Sequence, residues 1–355
     1  MTESTPQAVA AIADESQMDR VVDALGAGEL VGLPTETVYG VAARADSVGA
    51  MQRLREFKNV GPDFPFTLHL PDAEAAIEQL DSPPASLRRV IRKALPGPIT
   101  LRLPVNGRIV ALRCPSHPLA RRVLREAGGP VVAASVAGVN QRPALDAEAA
   151  AAMLGESAAW VLDGGRCRFG KPSTLIEYRP ADAVHPSSTP NALPWTVKRV
   201  GVIDERMVRN MQTFNLLLVC TGNTCRSPMA EVLAQDVLAG QPDVKIGSAG
   251  VFAGAGQPAS MEAVEAMQAL GLDLSGHRSR PLTADLVNAA DQIYTMTESH
   301  RQAVLAQAPH AADKVQRLDP EADISDPIGA SLSVYQATAD QIRRALESRL
   351  KEQLS

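Results

Sequence analysis

Two cysteines five positions apart, followed at once by arginine and serine, distinguish the segment VCTGNTCRSPMAE at 219–231. The apolar run FNLLLVC that enters it predicts a parallel strand buried on both faces, and PMAEVLAQDVLA predicts a helix with Pro228 in its first turn. A loop between a strand and a helix N-terminus turns backbone amides and partial positive charge toward an anion. We therefore expect residues 221–227 to form a binding loop for an oxyanion.

The side chains in this loop suit phosphoryl transfer to sulfur. The field of the loop favours a thiolate at Cys220, the expected nucleophile, and Arg226 offers a two-pronged guanidinium for phosphoryl oxygens. Ser227 can donate a hydrogen bond to the sulfur when the sulfur is the leaving group. Gly222 permits unusual backbone angles, and Asn223 tolerates the left-handed region and can fasten the loop through its amide. The alternative, a strand-end cysteine beside a chance arginine, is disfavoured by this combination.

Phosphoryl transfer also requires a general acid for the leaving group. Asp326 in DISDPIGAS is the candidate, because it stands in a loop ahead of the last predicted helix, although an Asp-Pro pair can also be a simple turn. The second cysteine of the loop, Cys225, has two interpretations. It either forms a reversible disulfide that protects Cys220 from over-oxidation or only fills space in the core.

The composition is that of an ordinary globular protein long enough for two domains, with 355 residues of which 45% are hydrophobic and 21% charged. A net charge of -5 argues against a dominant nucleic-acid-binding surface. The four cysteines show neither metal-ligand spacing nor a disulfide framework, which indicates a reducing compartment. No signal peptide and no apolar run of about 20 residues is apparent. We therefore expect a cytoplasmic protein without membrane contact or a bound metal.

The order of strand and helix patterns predicts an α/β protein. Residues 14–204 read as a domain with a twisted mixed sheet, and 214–355 read as a smaller, doubly wound domain with a parallel sheet. Residues 205–213 are the predicted linker. The first 13 residues are expected to be a loose tail. The segment rich in Pro, Ser and Asn at 182–194 is interpreted as a surface insertion, because a closing strand follows it.

Residues 214–355 resemble the low-molecular-weight protein tyrosine phosphatase family. The resemblance rests on VCTGNTCRSPMAE, SAGV at 248–251, His-Arg-Ser at 277–279, ADQIYTMTESH at 290–300, and the Asp-Pro pair at 326–327. It implies a cysteinyl-phosphate intermediate that water hydrolyses, with no cofactor and with phosphorylated protein as the substrate. The residues implied for this reaction are the nucleophile Cys220, the phosphate-binding Arg226, the thiolate-assisting Ser227, the loop-organising Asn223, and the acid and later base Asp326.

Two positions bear on which phosphorylated side chain is hydrolysed. Thr224 stands where tyrosine-directed members of the family usually carry an aliphatic residue, and Ile328 stands where they usually place an aromatic one. Both resemble the bacterial protein-arginine phosphatase branch. The loop of that branch reads CTGNTCRS, as residues 220–227 do here, with Thr221 directly after Cys220. A threonine narrows and polarises the pocket wall, so we favour phosphoarginine over phosphotyrosine, with both kept open. Arsenate reductases share the fold but need a downstream cysteine pair, and no cysteine follows Cys225.

The first half resembles the YrdC-like family, the threonylcarbamoyl-AMP synthases. The matching segments begin with PTETVYG at 34–40 and continue through PFTLHL, LPGPITLRLP, ALRCPSHP, GPVVAASVAG, DGGRCRFGKPST and KRVGVI. The resemblance implies a cationic cleft for ATP with Mg²⁺, bicarbonate and L-threonine, serving tRNA modification. The residues that it implies as nucleotide or threonine contacts are Thr35, Lys58, His69, Arg113, Ser135, Ser173 and Arg199.

Two positions depart from the pattern of that family. The Lys-x-Arg of the family is Lys58-Asn59-Val60 here, and the Ser-x-Asn is Ser135-Val136-Ala137, so an arginine and an asparagine are lost. Each lost charge-assisted contact would be worth about 1.5–3 kcal/mol. Two functions therefore stay open for this half. It is either an active synthase, or a binding module for a nucleotide, RNA or a protein partner.

Overall fold

The computed structural model describes residues 9–105, 107–138, 140–179, 195–241 and 243–354. The insertion predicted at 182–194 lies outside these residues. The chain divides into two compact units, with the boundary between Gln212 and Thr213. The part up to Gln212 is called the first unit below, and the part from Thr213 onward the second unit.

The described part of the first unit is built on a mixed sheet. Its strands are β1 (Ala11–Ala13), β2 (Val31–Leu33), β3 (Gly40–Arg44), β4 (Thr67–His69), β5 (Ile99–Val105), β6 (Arg108–Arg113), β7 (Val131–Ser135), β8 (Trp160–Leu162), β9 (Thr174–Tyr178) and β10 (Trp195–Arg199). Their order across the sheet is β1-β8-β2-β3-β7-β4-β6-β5-β9-β10. Strands β2 and β3 pair antiparallel, whereas β4 and β6 pair parallel, which confirms the predicted mixed sheet.

Helices cover both faces of this sheet. They are α1 (Met18–Gly26), α2 (Val48–Lys58), α3 (Ala73–Ile77), α4 (Ala85–Ala94), α5 (Pro118–Glu126), α6 (Ala147–Leu154) and α7 (Glu205–Gln212). Successive residues of β3 belong to opposite cores, because side chains alternate along a strand. Val41 and Ala43 pack with α2 and α6, and Ala42 packs with α1 and α5.

Two segments differ from the sequence prediction. Residues 11–13, expected to be part of a loose tail, form β1, which pairs parallel with β8 and buries Ala13. Residues 205–212, expected to be linker, form α7, whose Val208 is buried in the same core as Val90 and Ile91 of α4. A short strand such as AIA and an eight-residue helix rich in polar residues gain their stability from packing, so local sequence gave little signal for either.

The described part of the second unit is a doubly wound parallel sheet, as predicted. Its strands are β11 (Phe214–Cys220), β12 (Val244–Gly250), β13 (Gln292–Thr295) and β14 (Val315–Arg317), in the order β12-β11-β13-β14. Its helices are α8 (Arg226–Val237), α9 (Met261–Gln268), α10 (Ala284–Ala289), α11 (Glu298–Gln307) and α12 (Leu332–Leu354). One core contains Leu216 and Leu218 with α8, α9 and α12, and the opposite core contains Leu217 and Val219 with α10 and α11.

The register of the parallel strands positions the candidate site. Cys220 pairs with Gly250 of β12, and Val219 pairs with Thr295 of β13. The carboxyl ends of three strands therefore meet at one edge of the sheet, which is where open α/β sheets bind their ligands.

The packing of α7 predicts where the first unit ends. A fragment of residues 9–204 lacks α7 and exposes the core around Val90 and Ile91, whereas a fragment of residues 9–212 keeps it. Losing the buried Val208 side chain alone costs about 1.5–3 kcal/mol. We expect the shorter fragment to show a correspondingly lower free energy of unfolding in urea, followed by circular dichroism. Equal urea midpoints for the two fragments would show that 205–212 is a linker after all.

Candidate functional site

Cys220 is the last residue of β11, and its sulfur lies against the loop that leads into α8. The side chain is buried, with Sγ at 2.9 Å from Ser227 Oγ, and the Asn223 backbone N–H donates to Sγ at 3.3 Å. Asn223 Nδ2 donates to Ser227 Oγ at 2.9 Å, so the serine hydroxyl proton can go to the sulfur at 2.9 Å or to the more distant Ala249 carbonyl at 3.5 Å. Two hydrogen-bond donors and the N-terminus of α8 thus face the sulfur, a setting that stabilises negative charge there.

Asn223 fastens the loop on three sides. Its backbone φ of 56° lies in the left-handed region, which asparagine tolerates better than most residues. Besides the bond to Ser227, Nδ2 donates to Ser248 Oγ at 2.8 Å, and Oδ1 accepts the Arg280 backbone N–H at 2.9 Å. His277 Nε2 lies 2.8 Å from the Asn223 carbonyl oxygen. One buried amide therefore joins the loop to α8, to β12 and to the segment around Arg280.

Arg226 and Asp326 meet although they stand 100 residues apart. Arg226 Nη2 lies 2.6 Å from Asp326 Oδ2, and the same nitrogen lies 3.4 Å from Thr221 Oγ1. Its other terminal nitrogen donates to the Ile324 carbonyl at 3.4 Å. The guanidinium is buried, whereas 48% of the Asp326 side chain is exposed. An anion entering from solvent would therefore compete with the half-exposed carboxylate for a guanidinium that is held in place.

Gly250 allows β12 to approach the loop closely, a role that the sequence analysis missed. A Cβ at this position would lie 2.5 Å from the Thr221 carbonyl oxygen and 2.9 Å from the Asn223 backbone nitrogen. Both atoms belong to the backbone of the loop and have no freedom to swing aside. The only sequence signal was the segment SAGV, whose glycine could equally have been an ordinary strand end.

His300 is a second residue that the sequence analysis missed. Its ring lies between two hydroxyl groups, with Nε2 at 2.8 Å from Thr221 Oγ1 and Nδ1 at 2.8 Å from Thr297 Oγ1. Burial, with a further contribution from the nearby Arg226 charge, lowers the pKa of His300 to about 4. The imidazole is consequently neutral at physiological pH.

The rim of the loop carries exposed apolar side chains. Ile328 is 73% exposed, and its backbone N–H donates to Asp326 Oδ1 at 3.3 Å. Phe252 is 82% exposed, and its backbone N–H donates to the Thr221 carbonyl at 3.0 Å. Thr224, between Asn223 and the second cysteine, accepts the Ser260 backbone N–H at its carbonyl. An exposed aromatic and an exposed aliphatic residue thus lie on segments that are hydrogen-bonded to site residues, and only Ile328 was predicted.

Cys225 lies on the buried side of the loop. Its sulfur is 3.4 Å from Ser260 Oγ and 3.5 Å from the Tyr335 hydroxyl. Burial raises the pKa of Tyr335 to about 12, so this hydroxyl stays protonated. These contacts are those of a packed core residue, which is one of the two interpretations drawn from the sequence.

The first unit contains a cavity of about 480 Å³ at the centre of its sheet. Six of the seven residues predicted for this half line it, from separate elements of the fold. They are Thr35, His69, Arg113, Ser135, Ser173 and Arg199. The sequence analysis therefore identified residues that the fold brings to one place.

Three arginines line this cavity, of which Arg102 is paired with Glu177 at 3.0 Å; the other two are Arg113 and Arg199. Arg113 is buried and paired with Glu36 at 2.8 Å, while Arg199 donates to the Ser173 carbonyl at 3.0 Å. Burial and then the nearby Arg113 charge lower the pKa of Arg199. Burial and then Arg113 also lower the pKa of His69 to about 4, which leaves this ring uncharged. The guanidinium of Arg199 is the more available of the two to an anionic ligand.

Lys58, the seventh predicted residue, binds protein carbonyls beside the cavity. Its Nζ donates to the Ser135 carbonyl at 2.7 Å and the Ala137 carbonyl at 2.8 Å. Burial lowers the pKa of this lysine. Val60 packs against the core of α2 and α6, and Ala137 is buried. The two positions that depart from the family pattern therefore present no polar group to a ligand.

Within the described residues, no three His, Cys, Asp or Glu side chains are grouped as metal ligands would be. None of the helices in the described part of the chain has the length and apolar character needed to cross a membrane.

Known proteins resemble the two halves separately. The profile of the low molecular weight phosphotyrosine protein phosphatase family matches residues 215–355, and that of the Sua5_yciO_yrdC family, described as telomere recombination, matches residues 23–185. A protein-arginine-phosphatase of Bacillus subtilis is 38% identical over 144 residues, or 39% of this chain and 95% of the relative. A probable low molecular weight protein-tyrosine-phosphatase EpsP of Ralstonia nicotianae is 38% identical over 135 residues, which cover 38% of this chain and 91% of the relative. A threonylcarbamoyl-AMP synthase of Chromohalobacter salexigens is 31% identical over 179 residues, which cover 47% of this chain and 96% of the relative.

The close approach at Gly250 predicts a localised effect of one methyl group. Gly250→Ala forces the new Cβ against two backbone atoms of the loop, so we expect a loss of about 1–3 kcal/mol in the free energy of unfolding. Inorganic phosphate should also bind at least tenfold more weakly, because the loop must shift. Urea denaturation and isothermal titration calorimetry measure the two effects. Gly254→Ala is the matched control, since a Cβ there meets nothing within 4 Å. Equal behaviour of the two variants would refute the close-approach argument.

Proposed function

We propose that this chain hydrolyses phosphorylated protein side chains at Cys220. It belongs to the low molecular weight phosphotyrosine protein phosphatase family through residues 215–355 and to the Sua5/YrdC family through residues 23–185. Both family resemblances inferred from the sequence are thereby confirmed, and the second unit is a protein phosphatase of this family. The observation that carries the mechanism is the placement of the Cys220 sulfur at 2.9 Å from Ser227 Oγ, in the loop whose Arg226 meets Asp326.

In the first step, the Cys220 thiolate attacks phosphorus. A sulfur–phosphorus bond forms while the bond from phosphorus to the leaving oxygen or nitrogen breaks, and the protonated carboxyl group of Asp326 gives its proton to the leaving atom. Arg226 and the loop amides hold the phosphoryl oxygens. The half-exposed Asp326 can leave Arg226 when a phosphoryl group arrives, which frees the carboxyl group for this role.

In the second step, water hydrolyses the cysteinyl-phosphate. The Asp326 carboxylate accepts a proton from the attacking water, and inorganic phosphate is released as the sulfur–phosphorus bond breaks. Ser227 donates a hydrogen bond to the departing sulfur. Asn223 keeps the serine hydroxyl oriented, because its Nδ2 donates to Ser227 Oγ at 2.9 Å. No metal or organic cofactor takes part in either step of this proposal.

We propose phosphoarginine as the preferred substrate. The Thr224 hydroxyl puts a polar group in the loop where an aliphatic side chain has only methyl groups, which suits a guanidinium better than a phenyl ring. Ile328, beside Asp326, has no aromatic face for stacking on such a ring, so that the exposed aromatic residue near the loop is Phe252, which follows β12. Relatives of equal identity, 38%, are named a protein-arginine-phosphatase and a probable protein-tyrosine-phosphatase, so the preference rests on Thr224 and Ile328.

Exchanging Thr224 tests this preference. We expect the unmodified protein to hydrolyse a phosphoarginine peptide faster than the matched phosphotyrosine peptide. Thr224→Ile should shift the ratio of the two kcat/KM values at least tenfold toward phosphotyrosine, which corresponds to about 1.4 kcal/mol. Thr224→Ser keeps the hydroxyl and should keep the preference. Cys220→Ser should abolish both reactions. Faster hydrolysis of phosphotyrosine by the unmodified protein would contradict the substrate assignment.

A second proposed function concerns the cavity of the first unit. We propose that it binds an anionic nucleotide, with Arg199 contacting the phosphate and the hydroxyls of Thr35 and Ser173 orienting the ligand. The proposal rests on the neighbouring guanidinium groups of Arg113 and Arg199 in one cavity. ATP with Mg²⁺ and L-threonine are the ligands to examine first. Because Lys58 is bound to carbonyls and Val60 and Ala137 are apolar, we expect binding without efficient threonylcarbamoyl-AMP synthesis.

Binding and synthesis can be measured separately. ATP should raise the unfolding temperature of the first unit, and Arg199→Gln should weaken ATP binding at least tenfold by calorimetry, because it removes a charge-assisted contact. Arg206→Gln, an exposed change on α7, is the control and should bind ATP normally. Pyrophosphate release that depends on threonine and bicarbonate should be absent. Robust release would instead identify the first unit as an active synthase, and unchanged binding by Arg199→Gln would refute the proposed contact.

A further inference from the structure

A chain of side-chain hydrogen bonds reaches Arg226 from the start of α11. Thr297 caps this helix, and its Oγ1 lies 2.8 Å from His300 Nδ1. His300 Nε2 lies 2.8 Å from Thr221 Oγ1, which lies 3.4 Å from Arg226 Nη2. Only 5% of His300 is exposed, so water hardly reaches the ring, whereas Thr221 is open to solvent. The nucleophilic mechanism proposed above makes no use of this buried imidazole.

One direction of the chain satisfies all four groups without a bond to solvent. A guanidinium can only donate, so Thr221 Oγ1 accepts from Arg226. Among the hydrogen bonds of the described residues, the Thr221 hydroxyl has no acceptor other than His300 Nε2. The ring then carries its proton on Nδ1 and donates to Thr297, whose own hydroxyl can donate to Ser299 Oγ at 2.9 Å. This order gives every proton an acceptor.

The chain requires an uncharged ring. A protonated imidazole donates from both nitrogens, so Nε2 would lose its lone pair and could no longer accept the Thr221 proton. Burial, followed by the charge of Arg226, holds the pKa of His300 at about 4. At neutral pH the ring therefore acts as the acceptor that the chain needs.

We propose that His300 is a positioning residue of the phosphatase, which orients the Thr221 hydroxyl so that its oxygen holds the guanidinium of Arg226. This inference rests on the proposed hydrolysis at Cys220. Asp326 and Thr221 contact the same nitrogen, Nη2, in this structure. When a phosphoryl group replaces Asp326 beside the guanidinium, the Thr221 oxygen stays as the contact within the loop that restrains Nη2. Losing His300 should therefore weaken phosphate binding and turnover.

A double-mutant cycle on Thr221 and His300 tests the proposal in the full-length protein. Thr221→Val removes the hydroxyl with little change of shape, and His300→Leu removes the acceptor. Each should lower kcat/KM for a phosphoarginine peptide about tenfold or more and weaken competitive inhibition by inorganic phosphate to a similar degree. The kcat/KM of the double variant should be no lower than that of the less active single variant, because both changes break the same chain of hydrogen bonds.

Conservative variants separate positioning from simple stability. Thr221→Ser keeps the hydroxyl, and His300→Gln keeps an oxygen acceptor at about the reach of Nε2, so both should stay within about threefold of the unmodified protein. His310→Gln, at an exposed histidine, is the control for replacing a ring by an amide. If His300→Leu fails to fold, the comparison of Thr221→Val with Thr221→Ser still decides whether the hydroxyl matters. Additive effects in the cycle, or full activity of Thr221→Val, would overturn the proposal.

The assay also distinguishes this inference from the function on which it rests. An unmodified protein that hydrolyses neither phosphoarginine nor p-nitrophenyl phosphate would overturn the phosphatase mechanism itself. Activity that Cys220→Ser abolishes, together with normal kinetics for Thr221→Val and His300→Leu, would overturn only the role of His300.

Discussion

The placement of the loop between β11 and α8 depends on the buried amide of Asn223. This side chain satisfies both of its Nδ2 protons and its Oδ1, and it does so with groups from α8, β12 and the segment at Arg280. An amide left unpaired at such a site would cost about 1–3 kcal/mol, so the contacts hold the loop to one conformation. Gly250 makes this close packing of the loop against β12 sterically possible, because a side chain at this position would clash with the loop backbone. The orientation of the Cys220 sulfur follows from this packing.

Beside this loop, the guanidinium of Arg226 can exchange its carboxylate partner for another anion. Arg226 is buried and held by neutral oxygens of Thr221 and Ile324, while its ionic partner Asp326 comes from a half-exposed loop. Replacing one anion by another at a fixed guanidinium requires little reorganisation, which is the condition for electrostatic stabilisation of a transferring phosphoryl group. The uncharged ring of His300 fits this arrangement, since a second cation beside Arg226 would oppose it.

In the first unit, several arginine and lysine side chains around the cavity are already bound to protein groups. Arg113 and Arg199 face a cavity, but Glu36 already pairs with Arg113, and Lys58 binds the carbonyls of the segment after β7. Apolar residues at 60 and 137 pack into the core. The Arg199 guanidinium therefore remains in the cavity without a carboxylate partner among the described ion pairs, whereas Lys58, Val60 and Ala137 add no free polar side chain to it. Family membership by itself does not decide between binding and synthesis, because the relevant contacts depend on individual side chains.

The sequence by itself determined both α/β folds and the strand–loop–helix around Cys220, because these patterns lie within a few residues of one another. Hydrophobic run lengths, Pro228 and the Cys-x5-Arg spacing are local signals. The tertiary structure alone decided that Gly250 and His300 adjoin the loop, that residues 205–212 form a packed helix, and that Lys58 binds carbonyls. Such contacts join residues that lie far apart in the sequence, as Val208 and Val90 do, and depend on strand register and on which side chains meet in the folded chain. No local pattern of residues carries that information.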